Sequence, residues 1–158
     1  MPWTPLWFGR HSGKTLPQVL FTDPDYFFWA CEDGVFEDKR SLRREAAILQ
    51  TKATSIRIPQ QSDEPLQVEY NFYYSDHTSV GFHIVPSSQP LHEGSTPTER
   101  ADHIDMSIPR RQKGYDKLGY RIFLRSLRFY LFGSESARMS RRRCEEFFDD
   151  DTNFHRNA

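Results

Sequence analysis

No run of about 18 apolar residues occurs anywhere in the chain, so no segment is expected to span a membrane. Cysteine is scarce. Cys31 and Cys144 are too few for a disulfide framework or, by themselves, a zinc site, and the expected compartment is a reducing cytoplasm. The opening Met-Pro-Trp-Thr-Pro lacks a basic segment ahead of an apolar one, so no secretory leader is expected. No Gly-x-Ser-x-Gly elbow is present and neither cysteine has a histidine beside it, so no activated nucleophile is nominated. No internal repeat is visible. Net charge is missing too: 21 basic residues face 22 acidic ones, for a balance of −1 over 158 residues. Taken whole, that balance argues against a polyanion partner. The length suits one domain with a substantial core.

The charge is nevertheless segregated. Between Arg110 and Arg143 lie eleven basic residues and only Asp116 and Glu135 against them, so this stretch carries +9 and the remainder −10. Glu145, Glu146, Asp149, Asp150 and Asp151 follow directly behind it. Near-neutrality is the sum of two opposed blocks.

Hydrophobic patterning predicts a single α+β domain over 1–158: a helical N-terminal module (1–52), antiparallel strands (53–109), basic C-terminal helices (110–148) and an acidic tail (149–158). Thr15 is a candidate N-cap for one short helix. Asp23-Pro24-Asp25 opens a second, with a cap, a proline at the first helical position and an acid at the positive end of the dipole. Gly34 is a plausible stop, and residues 39–52 read as a third helix. Residues 55–59 read as a short strand. Val68, Tyr70, Phe72 and Tyr74 alternate along residues 66–74, and Val80, Phe82 and Ile84 form the return strand. Residues 87–100 read as loop. Residues 104–108 read as a further strand ended by Pro109, completing a sheet of three or four strands. A long helix from about Tyr115 to Phe132 is closed by Gly133, and a last helix ends at Phe148.

Gly9-Arg10-His11-Ser12-Gly13-Lys14-Thr15 superficially matches a phosphate-binding loop. That loop needs four residues between the glycines for its amides to curl around a phosphate, and here there are three. A plain glycine turn before a helix is the better reading. Residues 7–16, together with Asp23-Pro24-Asp25-Tyr26-Phe27-Phe28-Trp29, resemble the small C-terminal appendage of exodeoxyribonuclease X-like enzymes and related short phage and bacterial proteins. The resemblance covers about residues 7–30 and none of the exonuclease's acidic catalytic motifs. It implies a place beside nucleic acid rather than its hydrolysis, and a phage or mobile-element origin. Arg10, His11 and Lys14 would face phosphate on this reading; otherwise they are solvated side chains on a structural turn.

Pro24-Asp25 and Glu37-Asp38-Lys39 spell the signature of a metal-dependent nuclease, in which two carboxylates hold Mg²⁺ and a lysine orients water. That chemistry needs both parts on adjacent strands. The patterning places Asp25 at a helix start and Glu37 in a loop. Asp76, His77, His83, His92, Glu93, Asp102, His103 and Asp105 read as solvated loop and strand residues, since no second histidine sits at helical spacing. No catalytic residue, metal or cofactor is therefore expected. Tyr73, opposite the apolar face of its strand, is the one hairpin aromatic placed to stack on a base.

The basic block carries the strongest physical signal. At 100° per residue, Lys117, Arg121, Arg125 and Arg128 share a stripe about 80° wide on an otherwise apolar helix. With Arg138, Arg141, Arg142 and Arg143 on the next element they would concentrate positive potential suited to phosphates, DNA or RNA. The competing reading is internal: the acids at 145–151 neutralise the arginines through i,i+3 and i,i+4 pairs, or mask them. The expected function is a non-catalytic nucleic-acid-associated protein using these eight residues with Arg10 and Lys14. A protein-interaction module (inhibitor or adaptor) is the alternative, and a metal-dependent nuclease the third possibility.

Overall fold

A computed structural model describes residues 1–59, 63–72, 79–90, 98–111 and 117–155. The fold is mixed α+β, and the chain divides into two compact units. The first comprises residues 1–56, 105–107 and 138–158; the second comprises 57–104 and 108–137. The expected segments are cut by this division. The helix with the basic stripe belongs to the second unit, and residues 138–143 belong to the first.

The first unit is helical. Helix α1 (Leu16–Thr22) has proline in its first turn, and α2 (Pro24–Glu32) begins where the Asp23 side chain accepts a hydrogen bond from the Tyr26 amide. Helix α3 (Arg40–Ala53) buries Leu42, Ala46 and Leu49 on one face. α6 (Arg141–Asp149) is capped by Ser140, whose side chain accepts from the Arg143 amide. α1, with Leu16, Val19, Leu20 and Phe21 buried, packs against α2, α3 and α6. Phe21 meets Phe148 at 5.4 Å between ring centroids, and Phe148 stacks on Phe154 at 5.6 Å.

The acidic segment is therefore docked rather than trailing. A 3-10 turn at Asp151–Asn153, capped by Asp150, leads into buried Phe154, which bridges to Ile56. Asp149 accepts from the Trp3 indole at 3.1 Å, and Asp151 pairs with Lys52 at 2.9 Å. Hydrogen bonds to Thr152 hold the Asp150 carboxyl below its ordinary pKa.

The second unit is built on an antiparallel sheet in the order β3-β2-β4, with β2 at Leu66–Phe72, β3 at Ser79–Pro86 and β4 at Thr98–Ala101. Tyr70 pairs with Phe82 in register, and Val68 with Ile84. Val68, Tyr70 and Phe82 are buried. Helix α5 (Lys117–Phe132) packs on edge strand β3. Phe82 lies 5.6 Å from both Phe123 and Tyr130, and its amide donates to the Ser126 hydroxyl at 3.4 Å. Gly81 permits this closeness. Its φ is +105°, and a Cβ there would stand 2.7 Å from Ile122 Cγ2. The helix thus covers an edge that would otherwise expose unpaired backbone groups.

Several sequence expectations are corrected. The end of the 87–100 segment read as loop forms, with Ala101, strand β4 (Thr98–Ala101), because polar Glu99 and Arg100 enter the ladder opposite Tyr70 and Glu69. Glu69, on the face opposite Val68 and Tyr70 in the alternation, is buried and paired with Arg100 at 2.9 Å. The strand expected over 104–108 shrinks to β5 (His103–Ile104), and β1 is only Ile56–Arg57; these two make the second, two-stranded sheet. Asp105 accepts from the Ser107 amide and hydroxyl, turning the chain into the short helix α4 (Ile108–Arg111). Thr15 flanks α1 but makes no side-chain cap; its hydroxyl donates to Glu145 at 2.9 Å instead. The hairpin turn and Tyr73, Tyr74, Asp76, His77, His92 and Glu93 lie outside the described residues.

Candidate nucleic-acid interface

The stripe on α5 faces outward. Lys117, Arg121 and Arg125 are exposed and Arg128 is half-buried, while Gly119, Phe123, Leu124 and Leu127 are buried on the opposite side. Among the described residues none of the four cations forms an ion pair with a carboxylate. The Arg128 Nε is buried with no hydrogen-bond partner. From Lys117 to Arg128 the stripe extends about 16 Å at 1.5 Å per residue.

The surface beside it departs from expectation. A helix this apolar is expected to lie deep and expose mainly its basic stripe, yet Leu118 is 53% and Phe129 49% exposed. Both fall just beyond Arg125 around the helix, so the face is cationic along one side and apolar along the other.

The arginines of the first unit are used differently. Arg141 Nε donates to Glu145 at 2.7 Å, and Arg142 Nε donates to Glu146 at 2.8 Å, both four residues on. That contact holds the Arg142 guanidinium above its ordinary pKa. Arg143 donates to the Arg138 carbonyl at 3.0 Å, and the Arg138 side chain is exposed. Glu145 also accepts from Thr15, so one carboxylate ties Arg141 to the end of the glycine turn. Sequence reasoning foresaw the i+4 pairing but not the link to Thr15.

Residues 9–15 form a locked turn. Leu6 donates to the Lys14 carbonyl and Gly13 to the Leu6 carbonyl, and Gly9 and Gly13 adopt φ of +75° and +89°. His11 does not face phosphate: it is only 8% exposed and meets Asp23 at 2.9 Å and the Tyr26 ring edge-on. Burial of this ring against the cap of α2 replaces the role expected from the turn. Arg10 pairs with the same Asp23 carboxylate at 3.4 Å and lies over the Tyr26 ring. Lys14 is half-buried.

The nuclease signature is dispersed into local roles. Asp25 sits in the first turn of α2, Glu37 is exposed in a turn, and Lys39 donates to the Val35 carbonyl and Asp38. Among the described residues, no three His, Cys, Asp or Glu side chains gather as metal ligands would. His103 is held by neighbouring Asp102, and His83 is exposed. Burial, reinforced by Glu32 and Glu37, pushes the Cys31 thiol up to about 12, which leaves it a poor nucleophile. Cys144 is buried. Among the described residues no helix is long and apolar enough to cross a membrane. No protein family, curated protein or solved structure matches the chain.

Proposed function

We propose that this is a non-catalytic nucleic-acid-associated protein that holds the phosphate backbone through the outward stripe of α5. The observation that carries the reading is that, among the described residues, Lys117, Arg121, Arg125 and Arg128 line one helix without a carboxylate partner, whereas Arg141 and Arg142 each have one. Cations left unneutralised on a rigid helix are suited to counterion release at phosphates and need no base contacts. Arg138 and Arg143, with Arg10 and Lys14, form a secondary set on the first unit. The resemblance of residues 7–30 to the exodeoxyribonuclease X appendage, with its phage or mobile-element associations and cytoplasmic setting, belongs to the same reading.

An electrophoretic shift assay with single- and double-stranded DNA and RNA tests it. Four phosphate contacts give a slope of about −3.6 in log affinity against log salt, or roughly a hundredfold loss between about 50 and 200 mM. Arg121→Glu with Arg125→Glu should remove about half that slope and weaken binding about a hundredfold at low salt. Absence of binding at low salt, or binding indifferent to salt, defeats the reading.

A second reading has its own observation. Leu118 and Phe129 stand exposed beside the cations, and such a mixed face also fits an acidic, apolar-edged protein surface, as an inhibitor or adaptor would use. Leu118→Ser with Phe129→Ser should leave nucleic-acid affinity nearly unchanged on the first reading.

A further inference from the structure

A half-open surface cavity of about 530 Å³ lies in the first unit at the start of α3, bordered by Thr4 and Glu45 and by the exposed Arg40, Ser41, Arg43 and Arg44. Its size falls within the range of about 300–1,000 Å³ typical of small-molecule sites. Three arginines on its wall come from the opening residues of a 14-residue helix. This is an unfavourable place for them. A helix start is the positive end of the backbone dipole, where acids are stabilising, yet the first turn of α3 has none and Lys39 supplies no side-chain cap. Arg40 and Arg44 are also four residues apart, the spacing at which like charges repel.

Among the described residues no carboxylate pairs with these arginines, and the one acid bordering the cavity, Glu45, is engaged elsewhere. Glu45 is 2% exposed, and its two oxygens accept from the Thr4 amide at 2.8 Å and hydroxyl at 2.7 Å. Asp38 is held by Lys39 at 2.8 Å. Among the described residues Arg40, Arg43 and Arg44 form no ion pair. The buried Glu45 pins the N-terminal segment as a wall of the cavity, while the exposed Arg40, Arg43 and Arg44 have no carboxylate partner among the described residues.

We propose that this cavity binds a phosphate group carrying two negative charges. The forked donors of arginine match phosphate oxygens, and a doubly charged group relieves the repulsion between Arg40 and Arg44 better than a single carboxylate. The phosphate belongs either to a free phosphorylated compound or to the phosphorylated end of a nucleic-acid strand. The site lies within the first unit and is independent of the α5 reading.

Calorimetric titration of the full chain at fixed ionic strength tests it, with inorganic pyrophosphate and a 5′-phosphorylated dinucleotide as probes and the unphosphorylated dinucleotide as control. Saturable one-to-one binding of a phosphorylated probe is expected, about tenfold weaker in Arg40→Gln/Arg44→Gln and unchanged in Arg121→Glu/Arg125→Glu. Preference for pyrophosphate identifies a free compound, and preference for the dinucleotide identifies a strand end. A second variant, Ser41→Asp, places an anion where the dipole favours one; it should raise the melting temperature of the free protein and abolish binding. No saturable binding of either probe, or binding indifferent to both substitutions at α3, overturns the proposal.

Discussion

Helices α5 and α6 draw on the same arginine-rich block, yet they dispose of their charge in opposite ways. On α6 each of Arg141 and Arg142 has a glutamate four residues on, and both pairs are closed. On α5 the residues four beyond Arg121 and Arg125 are Arg125 and Phe129, so the helix cannot neutralise its own stripe. Spacing therefore matters more than the count of cations. A run of arginines followed at helical distance by acids stabilises its own helix by a few tenths of a kcal/mol per pair. The same run without them keeps its charge for something else.

The largest test removes the platform that makes the comparison possible. Gly81 combines a left-handed backbone with no room for a Cβ against Ile122 and Ser126. Gly81→Val should destabilise the second unit by about 3 kcal/mol, from backbone strain and overpacking together. Urea unfolding followed by circular dichroism measures this. A cost near zero would show that α5 does not need its close seat on β3.

Glu145 tests the other helix. Its carboxylate serves both Arg141 and Thr15, and its side chain is 19% exposed. Glu145→Ala should cost about 1–2 kcal/mol of thermal stability, because it strips two hydrogen bonds from a largely buried group. Thr15→Val should recover part of that loss in the double variant, since the hydroxyl then has no partner to miss.

How much of this was legible in the sequence depended on how locally each feature is determined. Asp23-Pro24 announced α2 because a cap and its amide lie three residues apart, and the stripe on α5 follows from helical period alone. The strand β4 was not readable. Its residues, Thr98 to Ala101, lack apolar alternation, and it exists through pairing with β2, including a buried Glu69–Arg100 contact 31 residues apart. The acidic segment was likewise read as a tail because its anchors are remote: Asp149 meets Trp3 across 146 residues. His11 was misplaced for the same reason, since the sequence spacing does not say that the turn folds its imidazole onto Asp23. In sequence the arginines of α3 form an ordinary basic helix face; the cavity beside them is what sets them apart.

The finest test turns one helix into the likeness of the other. Arg142 and Glu146 are both exposed, and their pair adds little to stability because solvent screens it. Glu146→Gln should leave the melting temperature unchanged within error while releasing the Arg142 guanidinium. If neutralisation by neighbouring acids is what separates α6 from α5, the freed arginine becomes able to engage a phosphate. Nucleic-acid affinity at low salt should then rise about two- to threefold, and the salt slope should steepen by about 0.9, the value for one added contact. The direction is diagnostic, because any removal of negative charge raises affinity a little through the overall field, but only a new phosphate contact steepens the slope by a whole unit of charge. An unchanged slope would mean that the paired arginines of α6 are structural whatever their partner, and that the contrast between the helices lies in where each sits rather than in the acids that follow it.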